Sequence, residues 1–178
     1  DVTFDSLKRE FNIPKNVHIL EYMRSIDERK AIVIRERLRQ IESKMIENSN
    51  SSPNADKLLS HLRKKNCKLG ILTRNTKVNA IATLEKINLI YHFEKANIIG
   101  RGEAVPKPSA EGITKLMQKW KVDESDTVIV GDYYLDIEAG INAAVRTILI
   151  NENSIKEKNL TPDFHFTSLT ELLVSLSE

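Results

Sequence analysis

From residue 54 to the end of the chain, stretches with helical apolar spacing alternate with short apolar runs, and few folds accommodate such an alternation. Leu58, Leu59 and Leu62 mark a helix over 54–66, followed by an apolar run from Lys68 to Leu72. The pattern continues with a helix over 76–87, a short strand from Ala96 to Ile99, a helix over 109–119 and a strand from Thr127 to Val130. A helix over 136–144, a strand over 146–150 and a last helix over 168–176 complete it. Repeated βα units of this length predict an α/β fold with a parallel, doubly wound sheet flanked by helices. Parallel neighbours need a crossover, and the crossover is normally a helix.

The first fifty residues follow another rule. Phe4, Leu7 and Phe11, then Val17, Leu20 and Met23, then Ile34, Leu38, Ile41 and Met45 recur at helical spacing, which predicts three helices and no strand. Pro14 separates the first two, and Ser25-Ile26-Asp27-Glu28 supplies cap-like residues for the third. The polar, turn-rich stretch Asn48 to Asn54 reads as a linker, so residues 1–52 are expected to form a helical subdomain and 53–178 an α/β core.

Composition removes several classes of function. With 27 Lys+Arg against 25 Asp+Glu the net charge is +2, and the mixed-sign run Arg35 to Arg39 reads as a solvated helix face, so no nucleic-acid partner is expected. The apolar runs are too short to span a bilayer, so no membrane partner is expected either. Cys67 is the single cysteine, and the closest histidines, His61 and His92, are 31 positions apart, so neither an internal disulfide nor a zinc-ligand spacing is present. A cytoplasmic protein, monomer or homodimer, is expected, with organellar targeting left open.

In open α/β sheets ligands gather at the carboxyl ends of strands, where helix N-termini point and loops vary freely. Past the strand ends stand Thr73-Arg74-Asn75, Lys107 ahead of helix 109–119, and Gly131-Asp132 with Asp136. Donors and positive charge suit a phosphate, and two carboxylates suit a hard divalent cation. Each also has a plainer reading: Thr73 as a helix cap, Lys107 as a solvated loop charge, Asp132 and Asp136 as an N-cap and an early helical acid.

Leu69-Gly-Ile-Leu-Thr73-Arg-Asn75, then Lys107-Pro108, then Val130-Gly-Asp132-Tyr-Tyr-Leu-Asp136-Ile-Glu-Ala-Gly140, resemble the second, third and fourth motifs of the haloacid dehalogenase superfamily. The helical segment before them resembles the small cap of its phosphoglycolate-phosphatase-like branch. The resemblance implies a Rossmann-like core and a Mg²⁺-dependent phosphatase-type hydrolase that works on a small phosphorylated metabolite through an aspartyl-phosphate. Carried over, Thr73, Lys107 and Asp136 would be catalytic, and Thr73, Arg74, Asn75 and Lys107 would bind substrate. Asp132 and Asp136 would serve the Mg²⁺, with Asp136 supporting the ion or orienting Lys107. Residues of the 11–26 region would meet the leaving group.

Two departures accompany this resemblance: Ala110 stands where the third motif often has a second proline, and Tyr133 stands where many members have serine. The first motif, an apolar strand ending in Asp-x-Asp-Gly-Thr, is not found; Asp1 and Asp5 do not match it. The chain is therefore expected to be a piece whose nucleophile lies upstream, since that strand is central in the family's sheet; a natural variant without catalysis is the competing explanation. A non-catalytic phosphate-binding or regulatory module and a phosphoglucomutase-like phosphotransferase are the alternative functions.

Overall fold

The computed structural model describes residues 3–152 and 160–177, and the chain divides into two compact units, Asp1–Ser49 and Asn50–Glu178. In the first, α1 (Phe4–Glu10), α2 (Ile19–Arg24) and α3 (Glu28–Glu47) correspond to the three expected helices. Each starts on a side-chain acceptor: Thr3 Oγ1 takes the Ser6 N–H at 3.1 Å, His18 Nδ1 the Leu20 N–H at 3.3 Å, and Asp27 Oδ1 the Lys30 N–H at 3.1 Å. Such caps satisfy donors that a helix start cannot pair internally. Leu7, Ile13, Ile19, Ile34, Leu38 and Ile41 form the buried core of this unit.

The second unit is α/β. In chain order it contains α4 (Ala55–Lys64), β1 (Ile71–Leu72), α5 (Lys77–Lys86), β2 (Ile98–Ile99) and α6 (Glu111–Trp120). After these come β3 (Val128–Gly131), α7 (Tyr134–Asn142), β4 (Arg146–Ile150), β5 (Phe164–Phe166) and α8 (Leu169–Ser175). All pairings are parallel, in two pieces: β1 with β2, and β3-β4-β5. The run Lys68 to Leu72 contributes only two strand residues, and the helix expected over 136–144 starts two residues earlier, which puts Asp136 in its first turn.

A shared apolar layer links the two pieces. Ile113 and Met117 of α6 and Ala139 of α7 are buried together, with Leu72 of β1 and Ile129 of β3 packed against them. Close approach of α7 requires Gly140: a Cβ there would stand 2.6 Å from Ile129 Cγ2 and collide with Thr147 Cγ2. Among the described residues β1 pairs only with β2 and β3 only with β4, so each presents an unpaired edge. Val128 and Val130 of β3 are 49% and 44% exposed.

The sequence pattern did not reveal β5. It is anchored from outside the strand: Asp163 Oδ2 accepts both the N–H and the hydroxyl of Thr147, each at 2.7 Å, and the Asp163 N–H donates to Thr147 Oγ1 at 2.9 Å. The Thr147 hydroxyl, and after it the Thr147 N–H, hold the Asp163 carboxyl below its ordinary value of 3.8. A carboxyl depressed in the folded state contributes stability above its unfolded pKa and loses it as pH falls through the folded one. Replacing Asp163 with Asn is therefore expected to flatten the acid limb of stability against pH, starting below about pH 4. Urea titrations of both proteins over that range check this; parallel curves would refute it.

Candidate functional site

The site begins where β1 runs out. The Thr73 N–H extends the ladder by donating to Ile99 O at 3.0 Å, and Thr73 Oγ1 accepts the Asn75 N–H at 3.1 Å. A hydroxyl that accepts in this way still has its own O–H to donate. Asn75 is spent on the turn: its Oδ1 takes the Thr76 N–H at 2.8 Å and Asn79 Nδ2 at 2.9 Å, and its carbonyl takes the Arg101 N–H at 2.7 Å. Thr76 then caps α5 by accepting the Asn79 N–H at 3.1 Å. Arg74, between them, has a buried Nε without a hydrogen-bond partner.

Lys107 crosses from one strand end to the other. It precedes Pro108 through a cis peptide bond, and its ammonium donates to Leu72 O at 3.0 Å while pairing with Asp136 Oδ1. The two side chains are 15% and 9% exposed. An ammonium has three N–H donors, so two are engaged and the third is available to an anion. Asp136 is fixed in turn: its Oδ2 accepts the Tyr133 N–H at 3.2 Å, the reach-back half of a capping arrangement at the start of α7. Its plainer role as an early helical acid and its contact with Lys107 are thus both realised by one carboxylate.

Gly131 makes room for this. A Cβ there would collide with Cβ and Cγ of Asp136 and lie 2.5 Å from its Oδ2, so the carboxylate occupies the space a side chain would fill. Asp132, the next residue, has an exposed side chain, and its backbone carbonyl accepts Asn151 Nδ2 at 3.1 Å. The structure therefore joins Lys107, Asp136 and the end of β1 directly. Thr73 follows as the next residue along β1, and Asp132 remains turned to solvent.

Mg²⁺ prefers six oxygens, keeps several waters and is held by one or two carboxylates together with substrate phosphate. Asp132 fits as such a donor because its carboxylate is exposed, whereas both Asp136 oxygens are taken by Lys107 and the Tyr133 N–H. Among the described residues no group of three His, Cys, Asp or Glu side chains could hold a metal alone.

Two clusters escaped the sequence reading. Glu103 accepts the Gly100 N–H at 2.9 Å and pairs with Lys77 Nζ at 3.1 Å, while its carbonyl takes Lys115 Nζ at 2.6 Å, so it ties the loop after β2 to α5 and α6. The Gly100 N–H first, and then Lys77, hold its carboxyl below the ordinary range. Asp56 accepts from the Tyr91 hydroxyl and lies 2.8 Å from Nε2 of buried His92, joining α4 to the turn at 90–92. Polar contacts between residues this far apart in the chain leave no periodic signal in the sequence.

A parallel α/β unit with polar residues collected beyond its strand ends belongs to the class of open-sheet proteins that bind ligands at that rim. The chain belongs to the haloacid dehalogenase-like hydrolase family, whose model matches residues 1–150. No curated protein matches this sequence. Among solved structures, a hydrolase from Pseudomonas syringae superposes with a TM-score of 0.77 at 19% identity, covering 96% of this chain and 87% of that one. A protein from Haemophilus somnus 129PT, described as a predicted phosphoglycolate phosphatase, gives 0.75 at 14% identity, with coverages of 97% and 88%. Bacillus subtilis YfnB, described as bound to magnesium, gives 0.70 at 16% identity, with coverages of 98% and 89%. At these identities the likeness is one of fold. Among the described residues no helix is long and apolar enough to cross a membrane.

Proposed function

We propose that the protein is a phosphatase-type hydrolase of small phosphomonoesters that works through an aspartyl-phosphate, and that its rim holds the transferring phosphoryl group. The observation that carries this reading is the Lys107 ammonium. The Leu72 carbonyl and Asp136 hold it in place at the ends of β1 and β3, with one N–H still to give. Phosphoryl transfer asks chiefly for positioning and for fixed positive charge where negative charge spreads. Lys107 supplies that charge without reorganising, and the Thr73 hydroxyl donates to a second phosphoryl oxygen. Asp136 acts as a positioning residue for Lys107. Mg²⁺, when held by Asp132, would supply further charge neutralisation at the phosphoryl oxygens. In the reaction an aspartate carboxylate oxygen bonds to phosphorus as the P–O bond to the alcohol breaks, the departing oxygen takes a proton from water, and a second water then releases phosphate from the aspartyl-phosphate.

Calorimetric titration with inorganic phosphate, with and without Mg²⁺, tests the site. Saturable phosphate binding that Mg²⁺ tightens, with the Mg²⁺ effect removed by Asp132→Asn, is the expected result. No saturable binding at millimolar phosphate, with or without Mg²⁺, would overturn the reading.

A further inference from the structure

A large aromatic side chain stands exposed at this rim. Tyr133 is 52% exposed, and its ring leans on that of Tyr134, centroids 4.5 Å apart and planes tilted by 50°. Its backbone is held on both sides of the site. The Tyr133 N–H donates to the carboxylate that pins Lys107, and the preceding carbonyl, of Asp132, accepts Asn151 Nδ2. The ring thus springs from a fixed point between the exposed Asp132 carboxylate and the first turn of α7, one hydrogen bond removed from the Lys107–Asp136 pair.

An aromatic side chain left half in water forgoes much of the burial that normally places such residues inside, while its π face remains able to stack. Stiff aromatic rings bind flat partners at little entropic cost, because only two side-chain torsions are fixed. Resting on the phosphoryl reading of this rim, we propose that Tyr133 is a stacking platform for the leaving group and that the site favours monophosphate esters bearing an aromatic ring over acyclic ones. The ester phosphate meets Lys107 and Thr73, and the ring of its alcohol lies against the Tyr133 face. Tyr134 supports the platform by limiting the tilt of its neighbour.

The test compares affinities of the full chain with Mg²⁺ for inorganic phosphate, phenyl phosphate and glycerol phosphate, in the parent protein, Tyr133→Ser and Tyr133→Phe. Serine is a good N-cap residue and retains the backbone N–H that Asp136 needs, so the fold should survive the change. The parent is expected to prefer phenyl over glycerol phosphate. Tyr133→Ser should lower the ratio of phenyl phosphate to inorganic phosphate affinity by about three- to tenfold, and Tyr133→Phe, which keeps the ring, should restore it. Equal binding of the two esters by the parent, or an unchanged ratio in Tyr133→Ser while inorganic phosphate still binds, overturns the platform alone. Failure of inorganic phosphate to bind overturns the phosphate site and the platform together.

Discussion

Replacing Lys107 with Ala is expected to destabilise the protein by about 3–5 kcal/mol, the range found when one partner of a buried ion pair is removed. The Asp136 carboxylate, whose side chain is 9% exposed, would then be left with the Tyr133 N–H as its remaining described partner. Leu72 O would lose its donor as well. Most of this cost arises from the charge left behind, so adding Asp136→Asn should recover the greater part of it: a neutral amide can still accept from the Tyr133 N–H through its oxygen. Urea unfolding of the single and double variants measures both quantities. A loss below about 1 kcal/mol in the single variant would place the pair with exposed salt bridges, which contribute about that much or less. The double variant, refolded and stable, should still fail to bind inorganic phosphate, which separates loss of the ammonium from loss of structure.

Gly131→Ala is expected to be destabilising although it adds only one methyl group. That methyl would collide with Cβ and Cγ of Asp136, atoms close to the backbone of α7 that cannot swing aside as the end of a long side chain can. Overpacking of this kind costs about 1–3 kcal/mol. Rotation of Asp136 about Cα–Cβ would move Cγ but leave the clash with Cβ, so relief requires a shift of α7 away from β3. That shift loosens the ammonium, so phosphate affinity should fall together with stability. A variant of parental stability and parental affinity would show that the carboxylate can be accommodated elsewhere without consequence. Calorimetry and urea unfolding on the same preparation decide the matter.

The two variants probe the feature that the sequence reading reached only in outline. Lys107 and Asp136 both stand past predicted strand ends, and their contact spans 29 positions in the chain. The other acceptor for Lys107, the backbone carbonyl of Leu72, lies 35 positions away and leaves no trace in residue type. Asn75, singled out with Thr73 and Arg74 as a substrate group, spends its side-chain oxygen on building the turn that leads into α5. A side chain suited to meeting a ligand is equally suited to satisfying nearby backbone N–H groups, and sequence alone does not say which it does.

Element order was fixed locally. The spacing of apolar residues decides between helix and strand over a few residues, and a capping residue such as Asp27 acts within three positions of itself, so both are visible in the chain. The tertiary structure alone determined what depends on distant neighbours. It placed β5 against β4 through the Asp163–Thr147 bonds, and it left Val128 and Val130 half exposed on β3, which among the described residues pairs only with β4. It also gave a single carboxylate, that of Asp136, both the start of α7 and the hold on Lys107. Periodicity records which face of an element is apolar; which partner covers that face, and which buried charge meets which, is settled when segments far apart in sequence pack together.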